Sequence, residues 1–199
     1  MVFDDSNLWD DFRKNKEYAL SYIYHHHIAH LYSYGKKFTS DTDLIKDSIQ
    51  ELFVYLIRNR EHLGSTDNIR FYLMSALKHR IIRSMHEQKR FIENEKLDGQ
   101  YELLITFSFE EEIIDKENLS QKELLIKNAL NKISPKQREI LYYRYTCDFD
   151  YDKICEMMSI KYDSARKMVF RALKLLREQM EDTEVLLFIL FKKDEVNFY

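Results

Sequence analysis

Residues 164–177 read SARKMVFRALKLLR, and how this stretch is read decides the fold. Set on a helix at about 100° per residue, Ala165, Met168, Val169, Ala172, Leu173 and Leu176 share one side, in the i, i+3, i+4, i+7 spacing of a buried stripe. Arg166, Lys167, Phe170, Arg171, Lys174 and Arg177 take the other side. A solvated basic face is the ordinary reading of such a helix. Phe170 argues against it, because an aromatic ring among cations gains nothing from water, whereas a groove offering phosphates and base methyls suits both.

The upstream sequence supplies the context. SIKYD (159–163) reads as a short turn, and DYDKICEMM (150–158) as a compact helix with Asp150 as N-cap and an apolar side of Ile154, Met157 and Met158. Before it, ISPKQREILYYRYT opens with Ser134 as N-cap, the single proline of the chain, Pro135, at the first helical position, and Gln137 three residues after the cap. That is a capping box with proline placed where its missing N–H costs nothing. Two short helices, a tight turn and a basic-faced third helix predict a helix-turn-helix whose last element enters the DNA major groove.

ISPKQREILYYRY, DFDYDKICEMMSI and ARKMVFRALKLLRE together resemble region 4 of bacterial RNA polymerase sigma factors, especially the small extracytoplasmic-function (ECF) type. Members of that family usually carry a glycine at the turn and a small residue such as alanine in the first helix of the motif, where this chain has Ser159 and Cys155. Gly-Thr-Val often opens their recognition helix, where this chain has Asp163, Ser164 and Ala165. The resemblance implies that Ser164, Arg166, Lys167, Phe170, Arg171 and Lys174 contact the minus-thirty-five promoter element.

The first half of the chain separates a sigma factor from other helix-turn-helix regulators. DLIKDSIQELFVYLIRNREHL (43–63) followed by STDNIRFYLMSALKHRIIRSMHEQKR (65–90) is similar to sigma region 2, with Asp47, Gln50, Glu51 and Phe53 in the D-x-x-Q-E-x-F pattern of the helix that docks on core RNA polymerase. LSYIYHHHIAHLYSYGKKF (20–38) fits the family's first helix. Read without the family, Leu44, Ile45, Ile49, Leu52, Phe53, Leu56 and Ile57 form an apolar stripe, and Asp43, Asp47, Gln50 and Glu51 a polar flank. Residues 70–90 reverse the charge, holding Arg70, Lys78, Arg80, Arg83, Lys89 and Arg90 against Glu87 alone, beside Phe71 and Tyr72. Cations next to aromatic rings suit phosphate attraction and base stacking on an opened single strand. The resemblance assigns core polymerase binding to Asp47, Gln50, Glu51 and Phe53. It assigns the minus-ten element to Asn68, Arg70, Tyr72, Lys78, Arg80 and Arg83, with Asn68 in the loop GSTDN (64–68) as the candidate for holding a flipped base.

Composition agrees. With 3 Gly and 1 Pro in 199 residues there is little material for sheets built on tight turns, so an all-α protein of two small helical domains is expected. The expected divisions are region 2 over 1–92, an acidic linker over 93–118, region 4 over 119–182 and an apolar tail over 183–199. The linker carries nine acids and two lysines between residues 93 and 117. The net charge of −3 hides local basic patches over 70–90 and 161–177, and it is patches to which phosphates respond. The tail's VLLFILF (185–191) is far too short to span a bilayer; it is expected to pack intramolecularly and to clamp the two regions together. No membrane insertion and a cytoplasmic location are expected, with Cys147 and Cys155 as reduced structural thiols. The partners implied by the resemblance are core RNA polymerase, promoter DNA and an anti-sigma factor. No cofactor and no enzymatic activity are expected. His25, His26, His27 and His30 are a conspicuous cluster, but H-H-I-A-H lacks the glutamate of a zinc-protease motif, so surface or partly buried histidines are the expected account and no metal is assigned. The alternative reading is a helix-turn-helix regulator that does not join polymerase.

Overall fold

The computed structural model describes residues 4–93 and 128–178. The acidic linker beyond Glu93 and the apolar tail, with the clamp expected of it, lie outside the described residues. The chain divides into two units, residues 1–104 and 105–199, and all regular structure among the described residues is helical.

In the first unit, α1 (Asp5–Arg13) is capped by Asp4, whose side chain accepts the Asn7 N–H, and ends at Asn15, φ 60°, a residue type that tolerates the left-handed region. Next come α2 (Glu17–Gly35) and α3 (Thr42–Asn59), the latter capped by Asp41, which accepts the N–H groups of Asp43 and Leu44 at 3.1 and 3.0 Å. A 3-10 turn (Arg60–His62) leads to the long α4 (Ile69–Glu93). α4 packs against α1, α2 and α3, and the shared core holds Trp9, Ile23, Leu31, Tyr34, Ile45, Leu52, Leu56 and Leu73, all essentially inaccessible to solvent. Gly35 stands where α2 meets both neighbours: a Cβ there would lie 2.6 Å from Ile45 Cγ2 and 3.4 Å from Ile81 Cδ1. The stripe expected on α3 is shifted slightly. Ser48 is buried, whereas Ile57 is exposed, because a stripe of 44, 45, 49, 52 and 56 on a 3.6-residue helix takes in 48 and leaves 57 at its margin.

In the second unit, a helical segment at 128–131 precedes α5 (Pro135–Leu141). The expected capping box is present: Ser134 Oγ accepts the Gln137 N–H at 3.3 Å and Gln137 Oε1 accepts the Ser134 N–H at 2.9 Å. α5 runs into a π-helical turn (Tyr142–Thr146), then comes α6 (Tyr151–Met158), capped by Asp150, which accepts the Lys153 N–H at 2.8 Å. Ser159 ends α6 in the left-handed conformation, φ 54° and ψ 44°, at the position where the family usually has glycine. α7 (Tyr162–Arg177) packs on α5 and α6. Among the described residues of this unit two charged side chains are buried, and they are satisfied there. Arg138 Nη1 donates to the carbonyls of Leu130 and Ile133 at 3.2 and 3.0 Å, closing the end of the 128–131 segment, and Glu139 accepts the Tyr143 hydroxyl at 2.8 Å. Cys147 is buried and Cys155 half-buried; burial pushes the Cys155 thiol above its ordinary range, the direction of an inert thiol.

Candidate functional site

α7 separates its faces as the sequence implies. Ala165, Val169, Ala172 and Leu176 are buried, and Ser164, Arg166, Lys167, Phe170, Arg171 and Lys174 are all exposed. Phe170 is 67% exposed, the most exposed large apolar side chain among the described residues. A ring left in water between Lys167 and Arg171 makes sense only if it is covered by something that the same cations attract. The helix begins at Tyr162, whose ring packs on Tyr151 at 5.4 Å, and the Arg144 guanidinium lies 5.2 Å over the Tyr151 ring. Arg144 Nη1 also donates to the Phe149 carbonyl at 3.0 Å, so the start of α7 rests on a fixed support.

α3 presents Asp47, Gln50 and Glu51 on its outer face, where they line a groove with Val54, Tyr55 and Arg80. Glu51 Oε2 lies 3.7 Å from Arg80 Nη1, and the Arg80 guanidinium sits 5.1 Å over the Tyr55 ring. Phe53 does not belong to this face. It is buried and meets Tyr24 edge-on at 5.0 Å, because position 53 falls on the core side of a helix whose outer side carries 47, 50, 51, 54 and 55. Its part in the sequence pattern is to seat α3, and direct polymerase contact by Phe53 is set aside.

The basic run of α4 is split by helical phase. Arg83 is exposed and paired with Glu87 at 2.8 Å; Arg80 and Tyr72 are half-buried on the outward side. Lys78 is buried, which removes it from any surface that meets DNA. Arg70 is half-buried and lies near the histidines of α2, where its charge contributes to the low pKa of His27 and His30. Asn68 is committed as the N-cap of α4: its Oδ1 accepts the Phe71 N–H at 2.8 Å, and its own N–H donates to Thr66 Oγ1 at 3.1 Å.

The α2 histidines do not converge. His26 is exposed and stacks on Tyr22, His25 is exposed, His30 is half-buried and His27 is buried; among the described residues no group of three or more His, Cys, Asp or Glu side chains is placed to hold a metal ion. Burial first, then the neighbouring His26, His30 and Arg70, lowers the His27 pKa to about 3. Its folded value is below the unfolded one, so the stability it contributes is present above about pH 6.5 and is lost as pH falls from there toward 3. Unfolding in urea at pH 7 and pH 5 should show a loss of about 2 kcal/mol from this group, and His27→Leu should abolish that part of the difference.

The chain thus holds a helical unit with a polar groove on α3 and a helix-turn-helix whose exposed side is cationic. Two family models match in the same order: residues 23–91 match Sigma-70 region 2 and residues 123–176 match Sigma-70, region 4. The chain belongs to the sigma-70 family, as a sigma factor of the ECF type, which binds core RNA polymerase and directs it to promoters. Among solved structures the fold is similar to the sigma factor RpoE from Bartonella quintana, solved in complex with the anti-sigma factor NepR, at 16% identity and a TM-score of 0.53 over 86% of this chain and 98% of that one. It is also similar to CnrH, solved in complex with the cytosolic domain of CnrY, at 13% identity and a TM-score of 0.56 over 88% and 96% of the two chains. No curated protein sequence matches. No helix among the described residues is long and apolar enough to cross a membrane.

Proposed function

We propose that this sigma factor meets core polymerase through the outer face of α3, holds the opened minus-ten strand along the outward side of α4 and the loop 64–68, and reads the minus-thirty-five element with the exposed face of α7. The observation that carries the reading is the exposure of all six of Ser164, Arg166, Lys167, Phe170, Arg171 and Lys174 opposite a buried stripe, in a unit matched to region 4. On α4, Arg80, Arg83 and Tyr72 supply cations and a ring for the strand; Asn68 shapes the loop through its cap, and Arg70 and Lys78 support the helix from within. The protein acts in the cytoplasm, without enzymatic chemistry or a cofactor of its own. An anti-sigma factor regulates it, as the complexes of the two structural neighbours suggest.

Co-purification with core polymerase tests the central assignment. The wild-type chain should be retained, and replacing Asp47, Gln50 and Glu51 together by alanine should weaken core binding by at least tenfold while the circular dichroism is unchanged. Full retention of the triple variant would move the docking surface elsewhere. Promoter-like DNA binding without any retention by core polymerase would favour a regulator acting alone.

A further inference from the structure

α1 precedes the segment matched to region 2, which begins at residue 23, yet it is tied to the part of the chain assigned to the opened strand. Asp5 Oδ2 accepts the N–H of Ile69, the first residue of α4, at 2.8 Å. The Trp9 indole N–H donates to the Gly64 carbonyl at 2.8 Å, and its ring packs against Tyr72 with centroids 4.8 Å apart. These partners are 64 and 55 residues away in sequence, and Trp9 is fully buried. The loop 64–68 is therefore held at both ends from α1, at Gly64 and at the start of α4, while Asn68 and Thr66 fix its middle. Between those anchors Ser65 and Asp67 stay exposed.

The chemistry of the anchors matters. The first turn of a helix has unsatisfied N–H groups and a partial positive charge that attract anions such as phosphate. On α4 two of those donors are taken, Ile69 by the Asp5 carboxylate and Phe71 by the Asn68 amide oxygen. A carboxylate seated there repels a nucleic-acid phosphate from the helix end, so a strand reaching the loop must present a base to it rather than its backbone.

We propose that α1 is a positioning element for the minus-ten surface: Asp5 and Trp9 fix the loop 64–68 and the first turn of α4 so that the loop accepts a base, and thereby set the preference at one position of the opened strand. This rests on the assignment of α4 and its loop to the minus-ten element.

The test uses the full chain bound to core polymerase and a pool of randomised single-stranded DNA, with sequences recovered from the bound fraction. The wild type should enrich a motif containing a strongly preferred base. Trp9→Phe keeps a ring against Tyr72 but removes the N–H donor together with part of the buried indole volume; Asp5→Ala removes the acceptor. Each should weaken the preference at that single base by roughly three- to tenfold, the worth of one hydrogen bond, with the rest of the motif intact, and Asp5→Asn, which keeps an acceptor but loses the charge, should give a smaller loss than Asp5→Ala. Urea unfolding of each variant shows whether the unit stays folded. Unchanged preference in both variants, or a uniform loss across the motif, overturns the positioning role while leaving the minus-ten assignment standing. A wild type that enriches no motif overturns the minus-ten assignment and the positioning role with it.

Discussion

Replacing Gly35 with valine should cost more than 3 kcal/mol of the stability of the first unit, and alanine alone about 2 kcal/mol, a large part of what holds a small domain together. The backbone at position 35 is helical, so the cost is not conformational; alanine should even gain about 1 kcal/mol of helix propensity. The cost is steric. A Cβ would sit 2.6 Å from Ile45 Cγ2 and 3.3 Å from Cγ1, on a branched side chain that is itself fully buried and has no rotamer to retreat into. α2 and α3 would have to part, whereas Ile81 Cδ1 of α4, 3.4 Å away, would be in ordinary contact. Urea unfolding measures the loss directly. Ile45→Ala, costly in itself because it empties a buried site, should cost less in the Gly35→Ala background than alone, and a double-mutant cycle with no coupling between the two positions would show that the contact is not the cause.

Arg171→Ala should cost roughly 1 to 3 kcal/mol of promoter affinity and relax the sequence preference of the minus-thirty-five element, whereas Lys174→Ala should weaken all sequences alike and reduce the salt dependence by about one counterion. Both side chains are exposed on α7. They differ in position, since the N-terminal half of a recognition helix lies nearest the base edges and its later turns pass over the backbone. Phe170→Ala should belong with Arg171, because a ring has nothing to gain from phosphate and much from a thymine methyl. Promoter selection by the reconstituted holoenzyme, repeated at two salt concentrations, separates these effects. Equal loss of sequence preference in the Arg171 and Lys174 variants would remove the division of labour along α7.

The second unit was the more legible half. Its signals are local: Ser134, Pro135 and Gln137 are contiguous, Asp150 caps the helix that it precedes, and the stripe of α7 repeats over four turns. Each is decided by backbone hydrogen bonding or amphipathic phase, which a sequence displays directly. The π-helical turn at Tyr142–Thr146 has no such marker. In the first unit a property counted along the chain does not display its phase around the helix. The basic excess of α4 reads as one patch along the chain, but Lys78 lies on the core side and Arg70 beside the α2 histidines. Phe53 shares a motif with Asp47, Gln50 and Glu51 and yet belongs to the apolar stripe, because a residue two positions past Glu51 points to the core. The importance of α1 lies in Asp5 and Trp9 reaching residues far along the chain, and nothing in its nine residues announces a distant partner.

The left-handed Ser159 between α6 and α7 carries a consequence for how this protein acquires its sequence preference. A residue with a Cβ resists that conformation by about 1 kcal/mol relative to glycine, so the turn does not choose the angle at which α7 leaves it; the angle is imposed from the interior. Ile154 and Met157 on one side, and Ala165, Val169 and Ala172 on the other, are buried where the two helices meet the rest of the unit, and the two alanines let α7 approach closely. Aim is thus a property of packing. Side chains that never touch a nucleotide decide which nucleotides the exposed ones can reach, and drift in promoter choice can begin with a methyl group exchanged in the hydrophobic interior.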